Sequence, residues 1–359
     1  MSRPAYVEID LEALQYNLTH IRKLAPTSKV TAMIKANAYG HGLSRVARAL
    51  VEADAFGVAG LEEACSIRRA GLQNPIILMA GFFSSQEFEA IEDLRCEMVI
   101  HCKEQIAALN QRAFKKPVKI WIKINTGMNR LGFRPDEVGA VYEALSQVAF
   151  LQKPFGFMTH FSDADCPEDP KTANQIELFE IATAGFSGER SLANSAGILN
   201  FPQAHADWVR PGLLLYGVSP IAGKLGRDLD LKPVMTLRSQ LIARRDQNPQ
   251  ETIGYGSSWK CVKPTPIGIA AIGYGDGYPY RFKTERPLPV LVGGQLCCIL
   301  GRVAMDMIAI DLSANPHAQV GDDVVLWGRQ LPVELVAESV RTIPYKLLCG
   351  IAPRVHGAE

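Results

Sequence analysis

Eight short apolar runs punctuate the first part of the chain, at residues 30–34, 56–59, 76–79, 98–100, 120–124, 155–158, 191–194 and 208–209. Between them the apolar positions recur at helical spacing, as in Val46/Leu50, Phe88/Ile91, Ile106/Leu109 and Val138/Val141/Leu145. Ahead of the first run, Leu11, Leu14, Leu18, Ile21 and Leu24 form one helical stripe that ends near Pro26, with Asp10 placed to cap its start. Ser84-x-x-Glu87 has the form of a capping box before another helix. Strands that are apolar without alternation are covered on both faces, so interleaved helices and strands over this length predict a parallel sheet. Eight such units favour a closed (β/α)8 barrel. A doubly wound open sheet is the alternative, although no GxGxxG follows the first run, which speaks against its dinucleotide-binding version.

The alternation stops after Tyr216. Residues 217–233 read as a Gly/Pro-containing linker, and the later runs 235–244, 267–273, 288–292, 297–300, 307–312 and 324–327 predict a mostly antiparallel β domain with one late helix near 333–341. The expected division is a barrel over residues 11–225 and a β domain over 226–359, with residues 1–10 as a strand packed on the latter.

Charge narrows the function. Lys plus Arg number 38 against 37 Asp plus Glu among 359 residues, dispersed without long runs of one sign, so neither a nucleic-acid nor a membrane footprint is expected. With no leader-like start and no span-length apolar run, a cytoplasmic location is expected. The eight cysteines include no CxxC pair and read as reduced thiols, and the seven histidines show no metal spacing, so no catalytic metal is expected.

The candidate chemistry centres on Lys35, which directly follows the first apolar run and precedes a polar stretch with Gly40 and Gly42. An ammonium at a buried strand end is either an ion-pair anchor or a reactive amine. The reactive form makes Schiff bases with carbonyl compounds, pyridoxal phosphate (PLP) above all. In barrels the loops after strands seven and eight commonly hold a phosphate, and here those positions carry Asn194-Ser195-Ala196-Gly197, read as a loop, and Arg210-Pro211-Gly212-Leu213. A hydroxyl and glycine-opened amides suit phosphate oxygens.

The motifs Lys35-Ala36-Asn37-Ala38-Tyr39-Gly40-His41-Gly42, Thr126-Gly127-Met128-Asn129-Arg130-Leu131-Gly132, Arg210-Pro211-Gly212, Gly254-Tyr255-Gly256, Gly273-Tyr274-Gly275-Asp276-Gly277 and Gly301-Arg302-Val303-Ala304-Met305-Asp306 together resemble the bacterial alanine racemases, from about Asp10 to Arg354. The resemblance implies a PLP-dependent racemase in which Lys35 carries the cofactor and acts as base on one face of the substrate, with Tyr255 as base on the other. It also implies Arg210 opposite the pyridine nitrogen, supported by His160, and phosphate ligation by Tyr39, Ser195, Tyr345 and the backbone at Gly212 and Leu213. Arg130 and the Met305 N–H would serve the substrate carboxylate. Lys123 matches a lysine that relatives often carry as a carbamate, and a lysine whose head reaches solvent is the alternative reading. Tyr274 and Asp306 would line the entrance. The active unit implied is a homodimer in which each barrel receives Tyr255 from the partner chain.

Two other functions stay open at this level. A PLP-dependent decarboxylase of basic amino acids would share the architecture but calls for an acidic partner to the pyridine nitrogen, where this chain has Arg210. A non-enzymatic PLP carrier would need the barrel alone, and leaves the Tyr255 motif unexplained. Serine differs from alanine by one hydroxyl, so substrate breadth stays open as well.

Overall fold

The computed structural model describes residues 3–111, 114–280 and 287–357. They group into two compact units: Gln15–Leu215 with Pro220–Lys224, and Met1–Leu14 with Tyr216–Ser219 and Leu225–Glu359.

In the first unit all eight apolar runs are strands of one closed parallel barrel, in the order Lys29–Met33, Ala55–Val58, Ile76–Leu78, Cys96–Ile100, Val118–Lys123, Leu151–Met158, Arg190–Asn194 and Trp208–Arg210. Pairing of Lys29 with Trp208 and Val30 with Val209 closes the ring, which excludes the open sheet. Inside it, Ala55, Ile77, Val99, Trp121, Met158 and Trp208 form one buried layer, with the two indoles edge to face at 6.0 Å. Residue 156 is glycine because any Cβ there would enter the Trp121 ring.

The helix Leu11–Leu24 begins where Asp10 Oδ1 accepts the Ala13 N–H at 2.8 Å, and Leu14, Leu18 and Ile21 are buried as their spacing predicts. The expected capping box is displaced by one residue. Ser84 accepts from Gln86 N–H, but the Glu87 carboxylate takes the N–H of Phe83 at 3.3 Å, because the first turn is a 3-10 helix over Ser85–Glu87 rather than an α-turn.

In the second unit six antiparallel strands pair in a ring: Thr265–Ala270, Ile308–Asp311, Gln295–Leu300, Leu288–Val292, Asp323–Trp327 and Met235–Gln247, the last returning to the first. The strand Tyr6–Ile9 adds antiparallel to Met235–Gln247, and His356–Gly357 adds parallel to Tyr6–Ile9. The predicted linker is not one in the physical sense. Val218, Ser219 and Leu231 are buried, and Glu334 Oε1 accepts the N–H groups of Ser219 and Gly226 at 3.0 and 2.9 Å. Gly217 has φ +76° and lies so close to the Lys232 carbonyl that no Cβ would fit, so glycines that read as looseness serve a tight backbone approach. Among the described residues no helix is long and apolar enough to cross a membrane.

Candidate active site

At the end of the first barrel strand the ladder stays paired up to the residue before the lysine: Met33 N–H donates to Pro211 O and Ile34 N–H to Gly57 O, both at 3.1 Å. The expected polar loop is instead a left-handed turn. Ala36, Asn37, Ala38 and Tyr39 all have φ of +53 to +54°. Each such residue costs about 1 kcal/mol, so the turn persists only because its surroundings hold it. Glu63 Oε1 accepts the Ala36 N–H at 2.6 Å while its other oxygen accepts Ala59 N–H, Asn37 Oδ1 accepts Leu43 N–H, and His41 Nδ1 donates to the Ala38 and Tyr39 carbonyls. His41 is enclosed, and burial pushes its imidazole down to about 4. Sequence reading did not single out Glu63 or assign His41 a role. A glutamate in the first turn of a helix is too ordinary a signal to mark such a clamp.

Two other strand ends meet near Tyr39. The residues expected as a loop after the seventh strand form a short helix, Ser195–Asn200, because Asn194 Oδ1 accepts the Gly197 N–H at 2.9 Å and caps it. Ser195 Oγ accepts the Gly212 N–H at 2.8 Å and the Leu214 N–H at 3.5 Å, tying this helix to the turn after the eighth strand. A Cβ on Gly212 would lie 2.7 Å from the Tyr39 hydroxyl. Two hydroxyls and a bare glycine backbone therefore converge on one spot.

Arg210 ends the eighth strand with 3% of its surface exposed. Its Nη1 donates to Ser191 Oγ at 2.7 Å, and its Nη2 to the carbonyls of Thr159 and Leu192 and to His160 Nδ1. Burial pushes the guanidinium down to about 9, which leaves it charged at neutral pH. His160 lies well below the ordinary imidazole range, first through burial and then through the charge of Arg210, and is neutral. Buried Lys123 is held well below the ordinary amine range by burial, then by the charges of Arg210, Arg130 and Lys35. The charges of Lys35, Arg130 and Arg210 thus gather around Lys123 at one barrel mouth, an electrostatic demand for anions. Gln175, also absent from the sequence reading, supports this corner: its amide donates to Thr126 Oγ1 and to the His160 carbonyl, and Thr126 Oγ1 bonds Thr159 Oγ1 at 2.7 Å. Its helical position shows only that it is polar.

The remaining predicted residues belong to the second unit. Tyr255 opens a turn in which Gly254 and Gly256 have φ of +70 and +68°, is 71% exposed, and lies on a cleft of about 660 Å³ also lined by Ile253, Ile267, Arg302 and Met307. A Cβ on Gly256 would lie 3.4 Å from the Arg302 guanidinium, so a cation underlies the turn. Tyr274, Met305 and Asp306 are brought together: Tyr274 N–H donates to Ala304 O and Gly275 N–H to Met305 O, and the Asp306 carboxylate pairs with Arg354 at 2.8 Å. Tyr274 also stands edge to face with Tyr280. Tyr345 sits on a separate helix, Pro344–Cys349. Among the described residues no group of three or more His, Cys, Asp or Glu is poised to hold a metal.

A parallel barrel with a lysine, a buried arginine and a hydroxyl-lined glycine turn at its mouth, followed by an antiparallel β unit, defines a barrel enzyme for small anionic ligands. Two family descriptions match the chain, "Alanine racemase, N-terminal domain" over residues 9–220 and "Alanine racemase, C-terminal domain" over 234–358. The chain belongs to the alanine racemase family. It is 47% identical over 353 residues to the alanine racemase of Aeromonas hydrophila, covering 98% of each chain, and 46% identical over 360 residues to that of Coxiella burnetii, covering 99% of this chain and 98% of the relative. The biosynthetic alanine racemase of Pseudomonas aeruginosa superposes with a TM-score of 0.95 at 40% identity over 99% of both chains, and that of Acinetobacter baumannii with 0.93 at 41% over 99 and 100%. The activity is that of an amino-acid racemase, which decides against the decarboxylase and the carrier.

Proposed function

We propose that the protein interconverts L- and D-alanine, with PLP carried on Lys35 and with Lys35 and Tyr255 as the two bases. The observation that carries this reading is the commitment of Arg210 to Ser191, Thr159, Leu192 and His160. The residues present fit the cofactor: Gly212 leaves beside the Tyr39 hydroxyl a space that a side chain would fill, Ser195 lies against the same backbone, and Arg210, Arg130 and Lys35 all act electrostatically on one buried lysine of the same barrel. Tyr39, Ser195, the backbone at Gly212 and Leu213, and Tyr345 would hold the phosphate. When bound, PLP supplies a conjugated electron-withdrawing system that acidifies the substrate Cα–H.

The chain's own groups set the outcome. A guanidinium has no proton to give and no acceptor lone pair, so Arg210 beside the ring nitrogen of bound PLP would leave that nitrogen unprotonated, and the cofactor so held would supply a restrained electron sink that favours return of the proton over transamination. Neutral His160 accepts from Arg210 and fixes its plane. Lys35 removes or returns a proton on one face of the substrate and the Tyr255 hydroxyl does so on the other, which inverts the centre. Arg130 and the Met305 N–H receive the substrate carboxylate, while Tyr274 and Asp306 line the way in. Lys123, buried among cations that hold its amine well below the ordinary range, is suited to add CO2 and lose a proton, becoming an anionic carbamate that steadies Arg130.

The exposure of Tyr255 on the rim of an apolar cleft supports a head-to-tail homodimer in which each barrel receives this tyrosine from its partner. The test is circular dichroism of the PLP-loaded protein with a panel of L- and D-amino acids. L- and D-alanine are expected to decay to the same optical end point. Racemisation confined to another amino acid would overturn the substrate assignment, and none at all the whole reading.

A further inference from the structure

Within the second unit a single carboxylate joins segments far apart in sequence. Asp276 has no exposed surface, so its charge must be matched where it sits. Arg3 meets it through both guanidinium nitrogens, Nη2 at 2.7 Å from Oδ2, and Arg354 Nε stands 2.8 Å from Oδ1. Oδ2 also accepts the Gly273 N–H at 2.7 Å, which closes the turn bearing Tyr274. Both arginines continue past Asp276 to one place. Arg3 Nη2 donates to the Asp306 carbonyl at 2.8 Å, and Arg354 Nη2 contacts the Asp306 carboxylate at 2.8 Å and the Met305 carbonyl at 3.1 Å. The backbones are pressed together here: a Cβ on Gly273 would strike the Ala304 and Met305 carbonyls, and one on Gly275 would strike Arg354.

We propose that Arg3 and Arg354, keyed by buried Asp276, are positioning residues that aim the Met305–Asp306 turn at the substrate. Neither arginine touches a reacting atom. Two guanidiniums and two carboxylates sum to no net charge, and the cluster acts on the turn by geometry. It holds the carbonyls of residues 305 and 306 and the Asp306 carboxylate together, and so fixes the turn that carries the Met305 N–H. A turn fixed at both carbonyls loses little freedom when it closes on a ligand, and that advantage appears in substrate binding rather than in proton transfer.

The inference rests on the proposed roles of the Met305 N–H at the substrate carboxylate and of Asp306 at the entrance, and steady-state kinetics of the PLP-loaded enzyme separates the two. Arg3→Ala is expected to raise KM for L-alanine roughly tenfold, the loss of one charged hydrogen-bond pair. Its kcat should stay within about twofold and its PLP absorbance should be unchanged. Arg354→Gln should do the same. Arg3→Lys, which keeps the charge but cannot span Asp276 and the Asp306 carbonyl together, should give an intermediate KM. If Arg3→Ala lowers the melting temperature while KM and kcat per folded site remain at the wild-type values, the cluster is only structural and the proposal is wrong. If Arg3→Ala does not fold, Arg3→Lys decides: a wild-type KM overturns the proposal. A fall in kcat at constant KM would also overturn it. A wild-type enzyme that fails to racemise alanine would instead sink the substrate reading on which the inference rests.

Discussion

Arg210 donates through Nη2 to His160 Nδ1 at 3.3 Å, so the imidazole nitrogen that faces the guanidinium is unprotonated. The pair is a one-way arrangement in which Arg210 can only give hydrogen bonds and His160 can only receive here. Replacing Arg210 with glutamate reverses it: a carboxylate would draw a proton onto His160 and allow one on the pyridine nitrogen. Arg210→Glu is expected to lower racemisation roughly hundredfold and to raise pyruvate release per turnover, read with lactate dehydrogenase. A folded variant that racemises at the wild-type rate without added pyruvate would place Arg210 away from the ring.

Lys35→Ala should abolish both racemisation and the yellow absorbance of the purified protein. Retention of either would remove the lysine from the centre of the proposed chemistry.

The cradle at Gly212 can be tested without touching a base. Gly212→Ala puts a methyl 2.7 Å from the Tyr39 hydroxyl, and Ser195→Ala removes the acceptor of the Gly212 N–H. Each should weaken PLP binding about tenfold or more, measured by fluorescence titration of the stripped protein. Unchanged affinity in both would move the phosphate elsewhere.

His41 sets an acid limit on the left-handed turn. Its imidazole sits at about 4 in the fold against an unfolded value of about 6.5. As pH falls, the unfolded chain therefore takes up this proton first. The contribution is complete above about pH 6.5 and is lost progressively down to about pH 4, for a total of about 3 kcal/mol. Urea denaturation across that window should show the loss, and His41→Gln should flatten it. An equal slope in the variant would assign the acid sensitivity to other groups.

If Tyr255 crosses between protomers, Lys35→Ala and Tyr255→Ala chains, each nearly inactive alone, should complement when co-expressed. Random mixing puts about half of the chains in mixed dimers with one intact site of two, so activity should approach a quarter of wild type. Purified mixed dimers at the mutants' background would show that both bases come from one chain.

What the chain alone determined is what leaves a local or periodic mark. Runs such as 98–100 and 120–124 carry no alternation because helices and the barrel interior cover both faces, and all eight runs became barrel strands in order. Asp10 shows as a cap because its partner is three residues away. Tertiary structure decided whatever depends on partners distant in sequence. The Lys35 turn is left-handed because Glu63 holds its first N–H across 27 positions, and no propensity in Ala-Asn-Ala-Tyr signals that. Buried residues 217–219 and 226 are held in place because Glu334, more than a hundred residues on, takes the amides of Ser219 and Gly226. Asp276 reads as one more turn aspartate until Arg3 and Arg354 arrive from the far ends of the sequence. Burial leaves a period in a sequence, whereas a hydrogen bond between remote residues leaves none, so only the folded chain shows which polar groups hold the site.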